Sequence, residues 1–146
     1  MTLTPDHYCS SPDLAERIAL LLKRDAFAVA LEPKLVSIEP RSVEMSMVIV
    51  PAVANVHGDC HGGALFTLAD LAFGAAAIYD GPVMTTGSDF NFVRPARVGA
   101  TVRASARELS RTAKSGLFQV TLNEQTAGVV AIGTFRGLWI APQGAR

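Results

Sequence analysis

A carboxylate inside an apolar run is the first residue here that needs a chemical reason. Asp70 stands between Ala69 and Leu71 in the stretch Gly62 to Tyr79, whose other residues are Gly, Ala, Leu, Phe, Thr, Ile and Tyr. A desolvated carboxylate is costly unless it is partnered. When ionised it is also a stronger base or nucleophile than one in water. The bland alternative is an Asp that turns to solvent or bonds the backbone, and the apolar flanks favour function over it. Gly62-Gly63 opens the same run. Bare N–H groups at a helix N-terminus, with no side chain in the way, suit a developing oxyanion, although a Gly-Gly pair can equally be a flexible entry to the helix.

The spacing limits how the two features can cooperate. Asp70 follows Gly63 by seven residues, roughly 10 Å along a helix that rises ~1.5 Å per residue. One reacting carbon has to lie about 3 Å from each group, so a single helix cannot supply both. An antiparallel pair of such helices in a two-fold dimer can. The catalytic reading therefore entails a homodimer with two composite sites.

The flanking polar residues add candidates of unequal weight. Asn55 can donate to a carbonyl oxygen or hold a water. His57 and His61 are four apart, but Gly58 lies between them and no HExxH spacing follows, which argues against a metal. Cys60 and His61 are adjacent, and neighbours in sequence do not normally face each other as a nucleophile–base pair. Ser88, with Phe90 and Phe92 on its face, can bond a water near the carboxylate or be an ordinary strand serine. Cys9 and Cys60 are expected to be two free thiols.

The elements that must position these residues follow from periodicity. Residues 12 to 25 read as a first helix, capped by Ser10 or Ser11, with Leu14, Ile18, Leu21 and Leu22 on one face. Phe27 and Ala28 to Ala30 dock the chain onto the body. Lys34 to Ile38 and Val43 to Val50 read as paired strands about the turn Glu39-Pro40-Arg41; Val43, Met45, Met47 and Ile49 alternate with the residues between them. After a loop from Pro51 to His61, residues 62 to 79 form one long helix, apolar nearly all round and hence buried, which Asp80-Gly81-Pro82 ends. Val83 to Val93, Thr101 to Leu109, Leu117 to Asn123 and Val129 to Ile140 read as four strands. Their linkers are too short for helical crossovers, so they are expected to be antiparallel neighbours in a meander. The fold class is α+β: an antiparallel sheet that buries one long central helix, in a single domain over 146 residues.

Composition excludes several functions. Thirteen Lys and Arg balance thirteen Asp and Glu, which argues against a non-specific nucleic-acid binder. No run of 18 apolar residues lacks a charge or breaker, so no transmembrane helix is expected. No signal peptide is read at the N-terminus, and the expected compartment is the cytoplasm. The zero balance conceals an asymmetry. Ser42 to Val93 contains no Lys or Arg but holds Glu44, Asp59, Asp70, Asp80 and Asp89, whereas Arg94, Arg97, Arg103, Arg107, Arg111 and Lys114 follow against Glu108 alone. Solvated strand faces explain this as well as a basic strip for an anionic partner does.

The run Asn55-Val56-His57-Gly58-Asp59-Cys60-His61-Gly62-Gly63-Ala64-Leu65-Phe66-Thr67-Leu68-Ala69-Asp70 resembles the signature of hotdog-fold acyl-CoA thioesterases, in particular the phenylacetate-degradation (PaaI-like) subgroup. The likeness continues through Phe90-Asn91-Phe92-Val93-Arg94-Pro95-Ala96 and Arg111-Thr112-Ala113-Lys114-Ser115-Gly116, and spans roughly Phe27 to Ile140. It implies a hotdog fold, with the sheet wrapped around the long helix, and active sites across a dimer interface, usually in a tetramer built of two dimers. Asp70 then matches the catalytic carboxylate, Gly62 the oxyanion-hole glycine, and Asn55 the amide near the thioester carbonyl. His61 matches a loop-supporting histidine, and Ser88 a serine that helps hold the attacking water. A related branch carries Glu in place of this Asp and a Thr one turn later; Gly74 occupies that later position here.

The implied reaction is hydrolysis of an acyl-CoA, with arylacetyl esters such as phenylacetyl-CoA or its hydroxylated relatives as the expected substrates. Gly62 or Gly63 with Asn55 would polarise the carbonyl, and Asp70 of a partner copy would act as general base or nucleophile. No cofactor is expected, since coenzyme A belongs to the substrate. The acyl group is expected along Phe66, Leu68 and Phe73, and the phosphates at Arg94, Arg111 and Lys114. Two other readings stay open: a hotdog hydratase or dehydratase, and a non-catalytic acyl-CoA-binding module.

Overall fold

A computed structural model describes residues 11–140, so Cys9 and Ser10 lie outside the described residues. Helix α1 (Leu14–Arg24) starts two residues later than its sequence pattern suggests, because Asp13 rather than Ser11 caps it. The Asp13 side chain accepts from the Ala15 N–H, and Lys23 and Arg24 sit at the negative end of the helix dipole. Asp25 ends α1 and also caps a second short helix, α2 (Ala26–Val29), by accepting from the N–H groups of Phe27 and Ala28. This turn of helix docks the chain onto the body, and Ala28 is buried in it.

Strands β1 (Lys34–Glu39) and β2 (Ser42–Val48) form the first hairpin, and Arg41 turns it with a φ of 62°. Val43, Met45, Met47 and Ile49 are buried while the residues between them are not, as period two requires. The long helix is α3 (Gly62–Ala77), followed by a 3-10 turn over Ile78–Asp80. Ten of its sixteen residues are buried. Ala69, Ala72 and Ala76 let the sheet approach closely, and Phe73 stacks on Phe135 with centroids 5.5 Å apart while its edge meets Phe118 at 5.3 Å. From Gly62 to Asp80 the chain is long and apolar enough to cross a membrane by length and composition. Most of that surface is instead covered by the chain's own sheet.

The remaining strands are β3 (Val83–Phe92), β4 (Thr101–Arg111), β5 (Ser115–Glu124) and β6 (Gly128–Trp139), all in one antiparallel six-stranded sheet of order β1-β2-β4-β5-β6-β3. The expected meander of the last four strands is thus only partly right. β4, β5 and β6 are neighbours in turn, but β3 pairs with β6 and β4 with β2. The reason is the helix. α3 carries the chain across the sheet's concave face, so β3 returns on the far edge, and residues 93–100 run back to start β4. That segment is held by backbone bonds between Cys60 and Ala96, Gly99 and Ile49, and Ile49 and Ala100.

Candidate active site

His61 caps α3. Its Nδ1 accepts from the Gly63 N–H at 2.9 Å, and its carbonyl accepts from Ala64 and Leu65. Of the first helical N–H groups, that of Gly62 is left without a partner among the described residues. A Cβ at position 62 would lie 3.1 Å from the Phe92 ring, so any side chain here would press on that ring. The pair of glycines therefore resolves into two roles: Gly63 is spent on the cap, and Gly62 offers its N–H outward.

Asn55 organises the loop before α3. Its Oδ1 accepts from the N–H groups of His57 (2.8 Å) and Asp59 (3.2 Å), and its Nδ2 reaches the Cys60 carbonyl only at 3.5 Å. With the oxygen held, the amide hydrogens are the part free to donate. Asn55, Gly62, Leu65, Phe92 and Arg94 border one cavity of about 510 Å³. Cys60 beside it is buried, which pushes its thiol up to about 11 and keeps it a thiol near neutral pH, a poor nucleophile.

Asp70 sits eight residues further along α3, half-buried, in a different cavity of about 310 Å³. α1 and the residue that ends it roof this cavity with Leu21, Arg24 and Asp25; α3 supplies Leu71 and Gly74, the 3-10 turn after it Ile78, and β3 Val83 and Thr85. Thr85 Oγ1 donates to Asp70 Oδ1 at 3.0 Å. Burial raises the Asp70 carboxyl, the Thr85 hydrogen bond pulls it down, and the Asp25 charge pushes it up again, leaving it above the ordinary value for an Asp. The two cavities share no lining residue.

Thr85 is the residue the sequence reading missed. Ser88 was the expected hydroxyl, but among the described residues no hydrogen bond joins it to Asp70. A register shift between Thr85 and Gly87 lets Thr85 pair with Gly137 and Ser88 with Phe135, both on one face of β6. Without that bulge, strict alternation would put Thr85 and Ser88 on opposite faces. The lone glycine at 87, inside a strand pattern, is the signal that could have found it.

The other expected contacts divide. Phe66 is half-buried and packs edge-on to Phe90 at 5.4 Å. Phe73 and Leu68 are fully buried in the core and cannot line an open pocket, which corrects their expected place along the acyl group. Arg94 borders the Gly62 cavity, and its Nη1 donates to the Ala127 carbonyl at 2.6 Å. Arg111 lies at the opposite end of α3: it bonds Asp80 at 3.1 Å and covers the Trp139 ring. Lys114 is exposed in the turn between β4 and β5.

The charge asymmetry also has a structural explanation. Asp80 is held by Arg41 and Arg111, Asp59 lies 3.8 Å from Arg97, and Glu44 lies 3.9 Å from Arg103. Arg97, Arg103 and Arg111 of the basic stretch thus lie against Asp59, Glu44 and Asp80 of the acidic one, and of these pairs Glu44–Arg103 crosses the β2–β4 pairing. Among the described residues Asp70 has no such cation partner. Nor do any three of His, Cys, Asp and Glu gather there as a metal site would require.

Residues 57–131 match the thioesterase superfamily. Over 118 residues the chain is 30% identical to the acyl-coenzyme A thioesterase PaaI of Escherichia coli K12, covering 80% of this chain and 83% of that protein. The solved structure of the E. coli PaaI protein from the phenylacetic acid degradation operon superposes with a TM-score of 0.84 at 25% identity, over 95% of this chain and 98% of the other. A Streptococcus mutans protein solved with acetyl CoA bound superposes with a TM-score of 0.72 at 27% identity, over 75% of this chain and 90% of its own.

Proposed function

This chain belongs to the thioesterase superfamily and has its hotdog fold, and from that premise we propose that it hydrolyses acyl-CoA thioesters at sites shared between two copies of the chain. The observation that carries the proposal is the division of the polar groups. Gly62 and Asn55 border one cavity and Asp70 with Thr85 borders another, eight helical residues or about 12 Å away. Two α3 helices packed antiparallel about a two-fold axis would bring Gly62 of one copy against Asp70 of the other. The outer edge of β3 supports such pairing, since a ten-residue edge strand leaves a row of N–H and C=O groups open to a second copy. Assembly of two such dimers into a tetramer is the expectation carried from the resemblance.

The reaction runs in a plain sequence. The thioester oxygen accepts from the Gly62 N–H and an Asn55 amide hydrogen, which stabilise the negative charge as it grows. Thr85 holds Asp70 Oδ1, so Oδ2 is the free oxygen. In one route Oδ2 takes a proton from water as the water oxygen bonds the acyl carbon. In the other Oδ2 itself bonds that carbon, the C–S bond breaks, and water then cleaves the mixed anhydride. In both, coenzyme A leaves as a thiolate, which is stable enough to need no obligatory proton donor, and neither route asks for a metal or redox group. Arg94 is the favoured partner of the coenzyme A phosphates, because it alone of the three expected cations borders the Gly62 cavity. Arylacetyl esters are the favoured substrates, in keeping with the operon of the E. coli relative.

The test is free-thiol release from a panel of acetyl-, phenylacetyl-, hydroxyphenylacetyl-, benzoyl- and long-chain acyl-CoA. At least one ester is turned over, Asp70→Ala lowers its kcat by about 100-fold or more, and Asn55→Ala lowers it less. Binding of an ester without turnover would make the chain a non-catalytic acyl-CoA-binding module instead.

A further inference from the structure

The cavity that holds Asp70 is closed on one side by a segment outside the matched family region. Leu21 and Arg24 come from α1, well before residue 57 where the superfamily match begins. From Asp70 the cavity runs along α3 to Ile78, eight residues or about 12 Å. Its apolar walls are Leu21 on the α1 side, Leu71 on α3, Ile78 just past the end of α3, and Val83 on β3. Its polar groups are Asp70 and Thr85 at the reacting position and the charged pair of roof residues Arg24 and Asp25. Halfway along its floor stands Gly74, one helical turn beyond Asp70. A Cβ built there meets no atom within 4 Å. The room in this cavity thus exists because position 74 lacks a side chain and Leu21 stops short of it.

We propose that Gly74 and Leu21 set the size of the acyl group this enzyme accepts, by forming the floor and roof of an apolar chamber next to Asp70. The inference rests on the thioesterase reading above. A thioester carbon within reach of Asp70 must direct its acyl substituent into adjoining space, and the apolar part of that space is this chamber. Filling one methylene's worth of such a pocket discriminates between substrates by about 10-fold or more. The floor residue Gly74 lies within the region matched to the superfamily and the roof residue Leu21 lies before it, so the two sides of the chamber come from separate parts of the chain.

Steady-state kinetics on acetyl-CoA and phenylacetyl-CoA test this. Gly74→Leu should lower kcat/KM for phenylacetyl-CoA by about 10-fold or more while acetyl-CoA stays within about 3-fold of wild type. Gly74→Ala, the smaller change and one that favours helix, should shift the ratio in the same direction by less. Leu21→Ala should shift it the opposite way. Equal losses on both esters in a variant with unchanged circular dichroism, or an unchanged ratio in all three variants, would overturn the proposal. If the wild type cleaves neither these nor any other thioester, the functional reading itself fails. A wild type that cleaves them with an unmoved ratio leaves that reading standing and removes only the chamber.

Discussion

Thr85 Oγ1 and Asp70 Oδ1, 3.0 Å apart, join an edge strand to the middle of the buried helix. The bond has two consequences. It fixes which carboxylate oxygen is free, and it opposes the upward push of burial on the carboxyl. In effect it sets the aim of the carboxylate and limits how far burial raises its proton affinity.

Removing that hydroxyl should therefore move a pH profile, not only a rate. In Thr85→Val the carboxyl loses the donor that favours its charged form, so its pKa rises further. Asp70 must be ionised to act, and the acid limb of kcat/KM is expected to shift to higher pH, with a loss of about 10-fold near neutrality. Thr85→Ser should restore the limb. A purely structural threonine would lower activity without displacing it.

The raised carboxyl also links to stability. Folded Asp70 holds its proton more tightly than the unfolded chain does, so the folded state loses stability as pH rises through the folded pKa. Asp70→Asn removes that loss and keeps an oxygen for Thr85 to bond. Thermal melts should show the variant at least as stable as wild type at pH 7, with the difference shrinking as pH falls below the ordinary Asp range. A variant less stable at pH 7 by several degrees would contradict this sign.

At the far end of α3 the linkage is reversed. Burial alone would raise the Asp80 carboxyl, but hydrogen bonds and charge from Arg41 and Arg111 outweigh it and hold the group below its ordinary value. Its stabilisation is present above the unfolded pKa and is lost as pH falls through the folded one. Asp80→Asn is expected to lower Tm by ~2–4 °C at pH 7 and by progressively less in acid. Activity per folded molecule should change little, since Asp80 does not line the Asp70 cavity and lies about 15 Å along the helix from that carboxylate.

Much of this arrangement was legible in the sequence. Asp70 in an apolar run, the glycines at a helix start and the alternation in β2 each reflect a local rule: desolvation cost, helix-end geometry, strand period. What escaped the reading depends on non-local partners. β3 was placed beside β4 because a short linker suggests a hairpin; α3 instead delivers the chain to the far edge, where β6 is the available partner. Phe73 was expected to be a substrate contact as an apolar residue of the long helix, yet its ring is taken up by Phe118 and Phe135, partners distant in sequence. Arg111 looked free because its counter-charge, Asp80, lies 31 positions away in sequence. Thr85 was hidden by a bulge, which reverses the side-chain parity that a strand pattern assumes.

The central claim is that one copy lends Gly62 and the other lends Asp70 to each site, and subunit mixing tests it most directly. Asp70→Asn and Gly62→Val are each expected to be nearly inactive alone. Refolded together in equal amounts, half of the dimers pair one of each, and each mixed dimer carries one site with both groups intact. Free-thiol release from the mixture should then recover to about a quarter of the wild-type rate. No recovery in a mixture shown to contain mixed dimers would contradict the account, because it would mean that both groups serve the site from a single chain.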